Sequence, residues 1–373
     1  MSKKYDVIIV GIGAMGSATA CHIAQRNKKV LGIDRFTPPH KLGSSHGQTR
    51  IIREAYFEGP QYVPIVQQAY KNWVKLEKEY GQPLYQQTGG LMMGLPDSEI
   101  IQGTRLSAEI YQLPYEILNA KEIRKKFPAY RPTDEMIAVW EPRAGMVFPE
   151  KCIEAHIEIA RKNNADFLFN EVVISWQAEG DGVSVTTGNG KYFADQLLLT
   201  AGAWLNNFLK DAPLPLIAER QVLYWFEPTQ PTHLFNAENF PIFIWSPDSE
   251  NDYYGFPDIG NGIKIAKPKR SEIADPDELN RNVQPEEIEE IRSFLQNFIP
   301  EANGKLLMTE VCMYTNTPDN HFRILHHPDH PQVLVASICS GHGFKFSSAF
   351  GEILSDILLD KKTSFDLSLF GYQ

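Results

Sequence analysis

Tyr5-Asp6-Val7-Ile8-Ile9-Val10-Gly11-Ile12-Gly13-Ala14-Met15-Gly16 decides the fold, read together with the residues after it as far as Asp34. Residues 5–10 are rich in β-branched and apolar side chains, the pattern of a buried parallel strand. Ser17 to Arg26 reads as a helix with Ala18, Ile23 and Ala24 free to pack. Lys29-Val30-Leu31-Gly32-Ile33 reads as a second strand that ends at Asp34. Each piece has a task in holding a dinucleotide. Gly11 permits the tight turn, Gly13 lets backbone approach a pyrophosphate, and Gly16 lets helix and strand pack closely. The helix N-terminus offers N–H groups and partial positive charge to the phosphates. Asp34 lies about twenty residues beyond the glycines, where an acid accepts hydrogen bonds from ribose hydroxyls and repels a 2′-phosphate. NADP is therefore disfavoured, while the motif alone leaves FAD and NAD open.

The 373 residues are 43% hydrophobic and 22% charged, enough for a substantial core. At roughly 150 residues per domain, two or three domains are expected. The net charge of −10 argues against non-specific nucleic-acid binding, which needs clustered Lys and Arg. No apolar run is long enough to span a bilayer, and Met1-Ser2-Lys3-Lys4-Tyr5-Asp6 lacks the apolar centre of a signal peptide. A cytoplasmic protein is expected. Cys21, Cys152, Cys312 and Cys339 have no paired spacing, so neither a zinc site nor a disulfide framework is expected.

Beyond Asp34 the regular βαβ alternation stops. Gln61 to Tyr80 has helical spacing, and a hairpin-like stretch follows around Gly89–Gly94. Cys152 to Asn163 reads as a helix, followed by strand pieces at 167–169 and 172–174. Glu179-Gly180-Asp181-Gly182 and Gly188-Asn189-Gly190 flank the alternating Val183–Thr187, as in a small antiparallel meander. Gln196 to Trp204 reads as a buried strand ending in a glycine turn. Past Arg220 come longer aromatic strands, at 221–226, 240–245 and 253–256, the pattern of an antiparallel sheet in a second domain. Gln284 to Phe298 and Phe346 to Leu359 are helical. This order resembles the FAD domain of the large flavoprotein oxidoreductase group. The expected fold is α/β: a Rossmann-like FAD-binding domain with a parallel sheet and a β-meander, carrying an inserted α+β substrate domain on an antiparallel sheet. The expected division is 1–85, 145–220 and 311–373 for the first, 86–144 and 221–310 for the second.

Three segments sharpen the resemblance. They are Gly43-Ser44-Ser45-His46-Gly47-Gln48-Thr49-Arg50-Ile51-Ile52-Arg53-Glu54-Ala55-Tyr56; Tyr253-Tyr254-Gly255-Phe256-Pro257 leading to Ile263-Lys264-Ile265; and Val311-Cys312-Met313-Tyr314-Thr315 with Ser340-Gly341-His342-Gly343-Phe344-Lys345-Phe346-Ser347-Ser348 beyond it. Together they resemble the monomeric sarcosine oxidase and N-methyltryptophan oxidase family over nearly the whole chain. Two departures bear on the substrate rather than the chemistry. Pro268 stands where a His is usual, and the spacing before Tyr254 is longer.

The resemblance implies an FAD-dependent oxidase of N-methyl amino acids that uses dioxygen and releases formaldehyde, the demethylated amino acid and hydrogen peroxide. It implies Arg53 and Lys345 as partners of the substrate carboxylate, since a guanidinium binds carboxylate in a bidentate fork. Arg50 and His46 become positive groups near the flavin ring, and Lys264 a positive group beside flavin N5. Tyr254 and Tyr314 become pocket aromatics. Val173 is a candidate for adenine contact, and the turn at Gly343 and Phe344 for the reduced flavin. Cys312 lies in the segment that carries a covalent cysteinyl link to FAD. If 50–53 is helical, Arg50 and Arg53 share a face. Trp225 and Trp245 either shrink the pocket or stack on an indole. The expected partners are a small N-methyl amino acid and dioxygen, with neither nucleic acid, membrane nor metal, and the chain is expected to be a monomer. An oxidase or dehydrogenase of primary or cyclic amino acids is the nearest rival, and a non-catalytic FAD-binding protein a more distant one.

Overall fold

A computed structural model describes residues 4–229, 231–268, 272–360 and 362–372. Met1 to Lys3, the start of the segment tested for a signal peptide, lie outside the described residues.

The apolar strand Lys4–Val10 forms where expected, and it is central to the first sheet. Val30–Asp34 lies parallel on one side of it and Lys191–Leu199 parallel on the other. Asp166–Phe169 extends the sheet beyond Val30–Asp34. His330–Ser337 runs parallel to the last residues of Lys191–Leu199, and Arg323–His327 closes that edge. The meander is present: Val173–Glu179, Gly182–Thr187 and Lys191–Leu199 pair in antiparallel succession. Helix Ala14–Gln25 packs between helices Pro149–Lys162 and Ser347–Asp360. Its approach to the last helix is close, since a Cβ on Gly351 would stand 2.7 Å from the Ala18 backbone. Val7, Ile9 and Leu198 are buried in the same core as Ile353 and Leu354.

The second sheet also has eight strands, ordered Leu306–Asn316, Ile217–Phe226, Ile263–Ala266, Tyr253–Phe256, Ile242–Trp245, Gly90–Gly94, Ile137–Glu141 and Glu116–Asn119. Every neighbouring pair is antiparallel except Ile242–Trp245 with Gly90–Gly94. Helix Pro285–Phe298 covers one face, with Phe294 against Phe243, Trp245 and Tyr253. A small third sheet, Arg50–Ile52, Gly145–Val147 and Tyr85–Gln87, joins the two. Among the described residues no helix is long and apolar enough to cross a membrane.

Three local expectations are corrected. The stretch around Gly89–Gly94 is not a hairpin: Tyr85–Gln87 and Gly90–Gly94 belong to different sheets. Gly89, at φ +70°, turns the chain between them, and Trp140 fills the space where its side chain would stand. The strand expected to reach Trp204 ends at Leu199, and Gly202–Phe208 is a 3-10 helix. Residues 50–53 are not helical. β-branched Ile51 and Ile52 instead extend the chain, and Arg50–Ile52 pairs with Gly145–Val147. The expected cuts at 220 and 311 fall inside Ile217–Phe226 and Leu306–Asn316, both members of the second sheet.

Candidate active site

One cavity of about 1520 Å³ begins at the carboxyl ends of the parallel strands, lined there by Val10, Gly11, Ile33, Asp34, Thr200 and Ser337. That is where open α/β sheets bind ligands. From there it runs to the second sheet, where Ile244, Tyr254, Phe256 and Tyr314 form its far wall.

The near end fits a dinucleotide. Gly11 has φ +92°, and a Cβ on it would collide with the Thr200 carbonyl at 2.6 Å. A Cβ on Gly13 would meet nothing within 4 Å, so the open side of that residue faces the cavity. Gly16 lies outside the wall and serves packing: its Cβ would stand 1.9 Å from the Gly11 oxygen. Asp34 accepts the Ile12 amide at 2.7 Å and the Phe36 amide at 2.8 Å. Burial raises its pKa and these two amides oppose the rise. Val173, Gly343 and Phe344 also line the cavity.

The far end gathers cations. Arg50, Arg53 and Lys345 all line the wall. Arg53 is 1% exposed, donates to the Ala55 carbonyl at 3.0 Å and pairs with Glu58. Burial pushes the Glu58 carboxyl up, but the Arg53 guanidinium outweighs it and holds it below its ordinary range. Burial and the Arg53 charge bring Lys345 down to about 7. The Tyr254 and Tyr314 hydroxyls meet at 3.2 Å.

His46, Lys264 and Cys312 are not on the wall but stand behind it, each almost fully buried. Lys264 Nζ donates to the Gly47 carbonyl at 2.8 Å, the Thr49 carbonyl at 2.8 Å and Thr49 Oγ1 at 3.1 Å. The alternation of Ile263, Lys264 and Ile265 thus turns the lysine inward, and these oxygens take the place of solvent. Burial and the Arg50 charge still drive its pKa well below its ordinary range. His46 Nδ1 lies 3.0 Å from Glu310, while its Nε2 is buried without a partner among the described residues. Cys312 packs with Leu223, Trp225 and Ala266, and burial raises its thiol pKa against the pull of Arg50 and Lys264. Trp225 and Trp245 are fully buried and lie off the cavity wall. Pro268 does line it.

The structure adds residues the sequence did not single out. Glu150 accepts the Gly47 and Gln48 amides at 2.7 and 3.1 Å, fixing the loop that carries Arg50. Glu141 accepts the Glu54 and Ala55 amides at 2.6 and 3.0 Å, fixing the chain just after Arg53. Cys339 lines the cavity. Single glutamates carry no spacing or periodicity, so nothing in the chain marked them.

A family model described as FAD dependent oxidoreductase matches residues 6–357. A monomeric sarcosine oxidase of Streptomyces avermitilis is 41% identical over 99% of this chain and 97% of its own length. An N-methyl-L-tryptophan oxidase of Yersinia pestis is 35% identical over 98% of each chain. Among solved structures, the amino acid oxidase NikD superposes with a TM-score of 0.88 at 23% identity, covering 99% of this chain and 97% of that one, which shows a shared fold. The cavity's dinucleotide cradle and these matches lead to one assignment: the chain belongs to the FAD dependent oxidoreductase family and is an FAD-dependent oxidoreductase.

Proposed function

We propose that the chain is an oxidase of N-methyl amino acids, of the sarcosine or N-methyl-L-tryptophan type. The observation that carries this reading is the pair of buried cations, Arg53 and Lys345, facing one cavity with the Tyr254–Tyr314 pair beyond a dinucleotide cradle. Two buried cations at one end of a cavity select a carboxylate. An aromatic wall beside them suits an amine. FAD, when bound, supplies the acceptor for a hydride equivalent from the C–H beside nitrogen and hands the electrons to dioxygen. The N-methyl amino acid, water and dioxygen together give the amino acid, formaldehyde and hydrogen peroxide.

In this reading Gly11, Gly13, Asp34 and Val173 hold the nucleotide end of FAD, and Gly16 lets the cradle close. Gly343 and Phe344 offer the start of the last helical segment to the flavin. Arg50 places positive charge near the reacting ring, Lys264 adds to it in its protonated form, and His46, whose pKa burial lowers, stands with them beside Glu310. The substrate carboxylate takes the place of Glu58 on Arg53, one anion exchanged for another. The domain division follows the sheets, and the protein acts as a cytoplasmic monomer of 42.3 kDa. Peroxide release should be measured with sarcosine, N-methyl-L-tryptophan, glycine and L-proline. Turnover of an N-methyl compound in preference to glycine and proline is expected; the reverse preference would overturn the reading.

FAD is held covalently through Cys312. Acid-precipitated protein should stay yellow. Cys312→Ser should release all its FAD to the supernatant, while Cys339→Ala should keep it bound. Because Cys339 is the cysteine on the cavity wall, the two variants together are the decisive pair. A colourless wild-type pellet would refute the linkage.

A further inference from the structure

A charged lysine has three N–H groups to place. Lys345 donates one to Tyr56 Oη at 3.1 Å and one to the His342 carbonyl at 2.6 Å. One remains for the cavity that Lys345 lines. Tyr56 is fully buried, and its hydroxyl lies 2.7 Å from His342 Nδ1.

The far end of this chain of contacts fixes the direction of every bond in it. His342 Nε2 lies 3.1 Å from the Asn320 carbonyl. A carbonyl only accepts, so Nε2 carries the proton. Burial keeps the ring neutral, with a pKa down at about 4. Nδ1 of a neutral ring protonated at Nε2 can only accept. Tyr56 must therefore donate to Nδ1, which turns its oxygen lone pairs toward the ammonium. Its alternative acceptor, the His342 carbonyl, is 3.5 Å away and already engaged by Lys345. The imidazole itself is held by stacking on Phe322, with centroids 4.7 Å apart. Arg53 covers the Tyr56 ring at 4.0 Å, so the tyrosine stands between the two cations, with Glu58 facing both.

We propose that Tyr56 and His342 are a positioning pair that aims the free N–H of Lys345 at the substrate carboxylate. The inference rests on Arg53 and Lys345 being the carboxylate site. A lysine stem is flexible, and its ammonium points only where its acceptors hold it. With the tyrosine hydroxyl gone, or with its acceptor gone, one of those acceptors no longer has a set direction.

The test uses FAD-loaded enzyme and four variants, Tyr56→Phe, His342→Phe, His342→Gln and Lys345→Met, with Tyr56→Phe also made in the Lys345→Met background. KM and kcat are measured for sarcosine, and the Kd of acetate is read from the flavin absorbance. Tyr56→Phe and His342→Phe should raise KM and the acetate Kd about five- to tenfold, the worth of one hydrogen bond. Turnover at saturation should stay within about twofold. His342→Gln should restore both constants, because its amide can accept from Tyr56 and donate to Asn320. In the Lys345→Met background, Tyr56→Phe should add nothing. If Lys345→Met leaves the acetate Kd unchanged, the carboxylate site itself is misread. If Lys345→Met weakens acetate but Tyr56→Phe and His342→Phe do not, the positioning pair is overturned. Equal weakening by Tyr56→Phe with and without Lys345 would overturn it too, since a merely structural tyrosine acts without regard to the lysine.

Discussion

Replacing Lys264 with methionine is expected to slow reoxidation of the reduced enzyme by dioxygen about 10²–10³-fold, the usual cost of losing one preorganised electrostatic group. Dioxygen gains negative charge as it takes up its first electron, and a buried positive charge nearby stabilises that charge far more than water would. In its protonated form Lys264 would be such a group, packed between Phe256 and Trp225 with its Nζ held by Gly47 and Thr49. Its lowered pKa sets the sign of the pH dependence. The charged form exists below that pKa, so reoxidation of wild type should fall as pH rises through it, and the methionine variant should lose this dependence. A second effect must be separated. Lys264 also ties down the loop carrying Arg50, so its loss loosens that loop. Loosening would impair reduction by substrate as well, whereas loss of charge impairs reoxidation alone. Stopped-flow measurement of both half-reactions distinguishes them, and unchanged reoxidation with flavin still bound would remove Lys264 from the oxygen reaction.

Arg53→Met is expected to weaken binding of N-methyl amino acids about tenfold to more than a hundredfold, because a charge-assisted hydrogen bond is worth about 1.5–3 kcal/mol. An N-methylamine without a carboxylate should bind the variant as it binds wild type. The substitution also leaves Glu58 without its partner. Stranding one member of a buried ion pair costs about 3–5 kcal/mol, and a part-exposed Glu58 should fall at or below the lower bound. Arg53→Met/Glu58→Gln separates the two losses. It should recover much of the melting temperature and none of the carboxylate affinity. Recovery of affinity in the double variant would show that Arg53 acts only through Glu58.

The nucleotide end was legible because its residues are contiguous. Gly11, Gly13, Gly16 and Asp34 act within one strand–turn–helix–strand unit, and local spacing reports local geometry. The far end was legible only by resemblance. Arg53 and Lys345 are far apart in the chain, and spacing says nothing about where they meet. Whether 50–53 is helical shows the limit: a short isoleucine-containing run fits either period, and pairing with Gly145–Val147 settled it as a strand. Trp225 and Trp245 show another. A tryptophan in a strand near a site looks like a pocket residue until the sheet's covering helix is known, and here Trp245 packs into that helix. Glu58, Glu141, Glu150 and Glu310 were silent because a carboxylate that caps amides or pairs with a cation leaves no pattern in its own neighbourhood.

The loop from Gly47 to Arg50 has no regular structure until Arg50, yet its shape is fixed from two directions. Glu150, 103 residues further on, accepts from its amides, and Lys264, 217 residues away from Gly47, donates to its carbonyls. Contacts of such sequence separation form only after long stretches of chain have been closed. The loop's conformation is therefore set by residues far from it in the chain, one on a helix of the first unit and one on the second sheet. Loss of Glu150 or of Lys264 is therefore expected to disturb the placing of Arg50 while leaving the contacts of Gly11, Gly13 and Asp34 as they are.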